Sequence, residues 1–279
     1  MLSDSCRGPD NGCGLLRGQP AVDSQEFSGN DPFPAAVCKS SEPERNMMKT
    51  LVIIPAYNEE ENILNTLGDL RKNGPDADVL VVNDCSRDGT LNLLRGKGVN
   101  HLNLVVNLGI GGGVQAGYLY ARDQDYDIAV QFDGDGQHEA RYLWDLIAPL
   151  ERDEADIAIG SRFLRKEGFQ SSGARRAGIN LLSGMIRRLC GIQVLDVTSG
   201  MRAVNRKYIE VYARRYVQDY PEPEALLDAG IRGARILEVP VQMKKRENGK
   251  SSISPVKSVY YMIKVSLALL MRRLMGREV

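Results

Sequence analysis

The chain has 279 residues, room for one large domain or two small ones, and 43% of them are hydrophobic, so a sizeable core is within reach. Its 36 Lys and Arg balance its 36 Asp and Glu, and that neutrality gives no reason to expect a nucleic-acid partner. The five cysteines form no C-x-x-C pair and are odd in number, which argues against a disulfide framework or a zinc site and favours a reducing, cytoplasmic setting.

Residues 1–46 are rich in Gly, Pro, Ser and Asp, show no periodicity, and are expected to be disordered. They lack the basic and apolar stretches of a signal peptide, and Met47-Met48-Lys49 offers an alternative start just before the first strand. From Lys49 the pattern changes. Residues 51–54 (Leu-Val-Ile-Ile) are a short apolar run suited to a strand covered on both faces. Asn58 is expected to cap the following helix, with Glu59, Glu60 and Glu61 in its first turn, where the helix dipole favours anions. Strands over 79–82, 102–106, 128–132 and 157–159 then alternate with helices near 88–94, 112–121 and 139–150. This rhythm predicts an α/β fold with a mostly parallel sheet and helices on both faces. Beyond Gly160 it loosens into a basic loop, a helix around 174–189, and strands near 199–204 and 235–241. The expected organisation is a globular domain over 47–252 followed by an amphipathic helix within 253–279. No run of 18 uncharged apolar residues occurs, so no segment reads as a transmembrane helix.

In such a sheet ligands bind outside the carboxyl ends of the strands, and polar residues gather there. They are Pro55-Ala56-Tyr57-Asn58-Glu59, Asn83-Asp84, Asn107 with the glycines to Gly113, and Asp133-Gly134-Asp135-Gly136-Gln137-His138. Asp133 and Asp135 offer paired hard oxygens that suit Mg²⁺ or Mn²⁺ and leave positions open for phosphate oxygens. An EF-hand loop would need Gly and Glu where His138 and Trp144 stand. Alone, D-x-D is as often a solvated acidic turn; its place at a strand end favours the metal. Asp88 is expected to cap the next helix, leaving Asp84 free to accept hydrogen bonds from a base or ribose. The run from Gly109 to Gly117 partly fits G-x-G-x-x-A, with Asp133 about 20 residues on. An NAD-binding oxidoreductase is therefore an alternative, though the run follows the third strand rather than the first.

Together these segments resemble family 2 glycosyltransferases, in particular the branch of dolichyl-phosphate mannose synthase and the bacterial polyprenyl-phosphate sugar synthases, over about residues 49–252. The resemblance implies the GT-A nucleotide-sugar transferase fold, a UDP- or GDP-linked donor, and Mg²⁺ or Mn²⁺ held by Asp133, Asp135 and Gln137. It implies that Pro55, Ala56, Tyr57, Glu59, Val82, Asp84, Asp133 and Gly134 line the nucleotide. Arg246, in an R-x-x-G-x-S loop, would close over the donor; Ser252 stands where the family often has Lys. Gly160-Ser-Arg162, Arg175-Arg176 and Thr198-Ser-Gly-Met-Arg202 resemble phosphate-binding segments. They imply Arg162, Arg176 and Arg202 as acceptor-phosphate ligands, and Asp135, Arg162 and Arg202 as catalytic.

The chemistry implied is inversion by direct displacement. A sugar-hydroxyl acceptor would need a base, for which Asp219, Glu222 and Glu224 are all candidates. A polyprenyl phosphate is already anionic and needs cations to position it more than a base, so the arginines favour a lipid-phosphate acceptor. From Lys244 onward nine basic residues face only Glu247 and Glu278. A basic amphipathic helix over 256–275 is expected to lie on the inner face of the membrane or against a small membrane-protein partner; packing on the core is the alternative.

Overall fold

The structure is a computed structural model that describes residues 48–165, 173–218, 221–244 and 255–274. The expectations for residues 1–46, for Asp219 and for the loop carrying Arg246 and Ser252 lie outside these.

Seven strands build one sheet: β1 (Thr50–Ala56), β2 (Asp78–Asn83), β3 (His101–Asn103), β4 (Ile128–Gln131), β5 (Ile157–Ser161), β6 (Arg202–Asn205) and β7 (Ile236–Pro240). Their order is β3-β2-β1-β4-β6-β5-β7. Every pairing is parallel except those of β6, which runs antiparallel to both β4 and β5. Eight α-helices and one 3-10 turn (Ala140–Tyr142) complete the described residues, the α-helices being α1 (Ile63–Asn73), α2 (Thr90–Gly96), α3 (Gly109–Asp123), α4 (Leu143–Glu151), α5 (Gly173–Cys190), α6 (Arg206–Arg214), α7 (Pro221–Ile231) and α8 (Pro255–Leu274).

The apolar run of β1 is buried throughout because its alternate side chains feed two cores. Leu51 and Ile53 pack with Val114 and Tyr118 of α3 and with residues of α5 to α8. Val52 and Ile54 pack on the other face with Ile63 and Leu70 of α1 and Leu143 and Leu146 of α4. Each such aliphatic contributes about 1.5–3 kcal/mol by leaving water. Gly117 brings α3 close, for a Cβ there would lie 2.2 Å from Ile53 Cγ2. The chain leaves β1 towards β2 and β3 on one side and returns as β4 on the other. The crevice between the carboxyl ends of β1 and β4 is thus the switch point where such sheets bind ligands.

Several local expectations are corrected. Asn58 does not cap α1. It takes a left-handed conformation with φ 55°, its Oδ1 accepts from Arg87 N, and the helix begins five residues later at Ile63, after Asn62. Glu59, Glu60 and Glu61 therefore precede the first turn. The third strand is only His101–Asn103, and residues 104–108 leave the sheet. Helices α6 and α7 are additional to the expected elements: α6 buries Tyr208, Ile209, Tyr212 and Ala213 on one face, a helical period that the sequence carries but that was not among those expectations. Pro221 and Pro223 fit the first turn of α7 because the first N–H groups of a helix have no intrahelical acceptor.

Candidate active site

Two loops meet above β1 and β2. Asn58 N donates to Ser86 Oγ, Glu59 N to Thr90 Oγ1, Glu60 N to Asp88 Oδ2 and Gly89 N to Glu60 Oε2, all within 2.8–3.1 Å. Asp88 also accepts from Thr90 N at the first residue of α2, but the N-cap position is Gly89 and not, as expected, Asp88. The bracing holds the segment from Pro55 to Glu59 at the rim of the crevice, with Ala56 buried and Tyr57 exposed. Glu59 is half-buried and accepts from Asn62 Nδ2. Val82 is a correction: its side chain is fully buried in the core with Leu51 and Ile53, where β2 alternation places it, and does not line the crevice.

Asp84 is a second correction, for its carboxylate is not free. Oδ1 accepts from Leu108 N at 2.7 Å and Oδ2 from Gly109 N at 2.9 Å, placing a negative charge at the amino end of α3, where the dipole favours it. Gly111 N donates to Gln218 O at 3.0 Å. The amides that would cradle a dinucleotide pyrophosphate are therefore spent inside the protein, and the glycine run serves close packing. This removes the structural basis of the oxidoreductase alternative.

Asp133 and Asp135 follow β4 at the switch point. Gly134 sits tight against β1, where a Cβ would lie 3.2 Å from Pro55 O, and its carbonyl accepts from Thr66 Oγ1. Gly136, at φ 72°, closes the turn in a conformation that favours glycine. Asp135 Oδ1 accepts from Gln137 N at 3.1 Å. Gln137 is bridged to the segment after β7: its O accepts from Lys244 N and its Nε2 donates to Lys244 O at 3.2 Å. Its amide oxygen is the atom suited to a cation. His138, almost fully buried, sets Nε2 3.5 Å from Asp133 Oδ2. Burial works against the charge of Asp133, yet His138 and Arg202 together hold its carboxyl below the usual range. Its side chain faces back onto the first aspartate, in keeping with its place directly after the D-x-D-x-Q run. Among the described residues no three His, Cys, Asp or Glu side chains form a metal cage. Two carboxylates with Gln137, completed by water and diphosphate oxygens, fit a hard divalent cation that keeps open positions.

The arginines behave differently from one another. Arg162 is buried and forked onto Asp196, with Nε–Oδ2 and Nη2–Oδ1 both at 2.6 Å, and Nη2 also reaches Thr198 Oγ1. An aspartate, not a phosphate, occupies that fork, which corrects the expected acceptor contact and catalytic role. Arg202 is fully buried on β6; its Nη2 donates to Ser199 O at 2.7 Å and its Nη1 to Glu222 O at 3.4 Å. It too is held inside the protein, on the sheet face covered by α3 and α6, with Tyr118, Tyr212 and Tyr216 within its electrostatic reach, and is not open to an acceptor phosphate. Arg176, at the start of α5, stacks 3.4 Å above Phe163 and leaves a buried Nη1 without a partner. Arg175 lies within electrostatic reach of Arg162 and of Tyr261 on α8.

Of the base candidates, Glu222 faces the site. Burial pushes its carboxyl up against the pull of Arg202, and the charge of Asp133 pushes the same way. Glu224 faces away, towards Arg272, Arg215 and Lys264.

Residues 51–213 match the model of glycosyl transferase family 2. The chain belongs to that family. The glycosyltransferase is 33% identical over 221 residues to an undecaprenyl-phosphate mannosyltransferase of Micrococcus luteus, covering 74% of this chain and 88% of the relative. It is 30% identical over 244 residues to a polyprenol monophosphomannose synthase of Mycolicibacterium smegmatis, covering 84% and 89%. Its fold is the GT-A fold. It superposes with a TM-score of 0.61 and 20% identity on glucosyl-3-phosphoglycerate synthase from Mycobacterium tuberculosis, covering 83% of this chain and 82% of that one. That enzyme was crystallised with Mn²⁺ and UDP, and also with Mg²⁺ and UDP.

Proposed function

We propose that this glycosyltransferase moves a sugar from a UDP- or GDP-sugar to a polyprenyl phosphate at the inner face of a membrane. The two curated relatives named above act on such lipids by name. The observation in this chain that carries the reading is the pairing of α5 with α8. Gly178 packs on Met262, and neither helix contains an acidic residue, while Arg175, Arg176, Arg187, Arg188, Lys257, Lys264 and Arg273 are cationic; Arg272 is instead buried against Asp228 of α7. The outward face of α8 is apolar, with Tyr260, Ile263, Leu267, Leu270 and Leu274 exposed. Val265 and Leu269 pack the other face on the core, so the packing alternative describes that face and leaves the outward one available. No described helix is long and apolar enough to cross a membrane, so this face would lie in the interface, with its cations near anionic headgroups.

The nucleotide would sit in the crevice between the Pro55–Glu59 rim and Asp133, with the end of β2 beneath it. A Mg²⁺ or Mn²⁺ ion at Asp133, Asp135 and Gln137 would neutralise the diphosphate and favour its departure. Asp135, whose Oδ1 accepts from Gln137 N, would be one of the carboxylates holding the ion. Arg176 and Arg175 at the amino end of α5 would orient the acceptor phosphate for attack on the anomeric carbon, with Arg162 and Asp196 as the rigid floor beneath them. A phosphate needs no base. A hydroxyl acceptor would, and Glu222 is the carboxyl placed for it, so the second reading is a sugar acceptor deprotonated by Glu222.

The test is transfer from radiolabelled GDP-mannose, UDP-glucose and UDP-N-acetylglucosamine to undecaprenyl phosphate in detergent. Organic-extractable, acid-labile product supports the proposal. Transfer to soluble sugars alone, lost in Glu222→Gln, would replace it with the second reading.

A further inference from the structure

We infer that Gly200 and Arg202 are positioning residues for Asp133, acting from behind the carboxylate rather than on the acceptor. The inference rests on the reading of Asp133 as a metal ligand. Gly200 packs directly on that carboxylate: a Cβ added there would lie 2.5 Å from Oδ2 and 2.8 Å from Oδ1. No side chain fits without moving the aspartate, so the absence of one at position 200 sets where the oxygens stand. His138 approaches the same carboxylate at Oδ2 through Nε2. Asp133 is thus bounded by an imidazole and by a backbone wall.

Arg202 holds that wall. Its Nη2 bond to Ser199 O pins the turn one residue before Gly200, and its Nη1 bond to Glu222 O ties the same guanidinium to α7. Its Cα is registered opposite Gln131 on β4, two residues before Asp133, and opposite Ile159 on β5. The side chain is wholly enclosed. Tyr118, Tyr212 and Tyr216 form an aromatic triad beside it, with centroids 5.1–5.5 Å apart, and all three lie within its electrostatic reach. A guanidinium in this position is shut off from an acceptor phosphate but is one turn of chain from the aspartate. Partners behind metal ligands commonly account for 10- to 100-fold in metal affinity.

The experiment titrates Mn²⁺ into the full chain by electron paramagnetic resonance, without nucleotide and with UDP or GDP, for wild type, Gly200→Ala, Arg202→Lys and Asp133→Asn. Thermal melts run in parallel, and KM is measured separately for donor and for undecaprenyl phosphate. Gly200→Ala and Arg202→Lys should weaken Mn²⁺ about 10- to 100-fold and raise donor KM while leaving acceptor KM unchanged. Gly200 is outside the left-handed region, so the alanine backbone is accommodated, and that variant decides the matter if Arg202→Lys fails to fold. Wild-type Mn²⁺ affinity in Gly200→Ala, or a rise confined to acceptor KM, overturns the inference. Retained Mn²⁺ binding in Asp133→Asn would instead overturn the metal assignment beneath it.

Discussion

Arg162 and Asp196 meet fork to fork inside the protein, with both contacts at 2.6 Å, and Asp196 Oδ2 accepts the backbone N–H of Arg162 as well. Glu238 in turn accepts from the backbone N–H groups of Leu195 and Asp196. Breaking a buried pair leaves a lone charge in a poor dielectric. Asp196→Ala should therefore cost about 3–5 kcal/mol, whereas replacing both partners by Met and Leu should recover most of it. Urea unfolding of the single and double variants checks this. A loss below about 1 kcal/mol in Asp196→Ala, the range of an exposed pair, would contradict the buried geometry.

Asp84 should prove structural as well as functional. Removing its two bonds to the amino end of α3 by Asp84→Ala should destabilise by about 1–3 kcal/mol. The measurement is the shift in denaturant midpoint without nucleotide present. An unchanged midpoint, with only nucleotide affinity lost, would mean that the carboxylate does not cap the helix.

Much of this architecture was legible in the chain. The apolar runs ending in Asp84 and in Asp133 announced strands with polar tips, because strand burial and strand termination are local properties. The fates of Arg162 and Arg202 were not legible. Arginine is exposed by default, and only the non-local insertion of β6 between β4 and β5 encloses Arg202, while Asp196 lies 34 residues from its partner. Asn58 misled for a related reason: its cross-loop bond to Arg87 N outweighed its local preference for a helix cap.

The attachment of α8 should depend on acid. Asp228 on α7 pairs with Arg272 and with Arg232. Burial alone would raise its carboxyl, but these hydrogen bonds outweigh it and hold the pKa below the ordinary 3.8. A depressed folded pKa gives stability that is present above the unfolded value and lost as pH falls through the folded one. The melting difference between wild type and Asp228→Asn should be full at pH 7 and shrink below about pH 4. A difference that persists unchanged at pH 3 would rule out the ion pair as its source.

The glycine run has a packing duty that can be isolated. Gly117→Val would drive branched carbons into Ile53 of β1 and should destabilise by about 1–3 kcal/mol through overpacking. Thermal melts give the answer, and a neutral substitution would show that α3 stands further from the sheet.

The central claim is that Asp133 and Asp135 hold the donor diphosphate through a divalent ion, and calorimetric titration of UDP and GDP tests it most directly. Wild type should bind one of them strongly with Mn²⁺ and weakly in EDTA, and Asp135→Asn should bind weakly in both while melting like wild type. Equal binding with and without Mn²⁺, or undiminished Mn²⁺-dependent binding by Asp135→Asn, would contradict it.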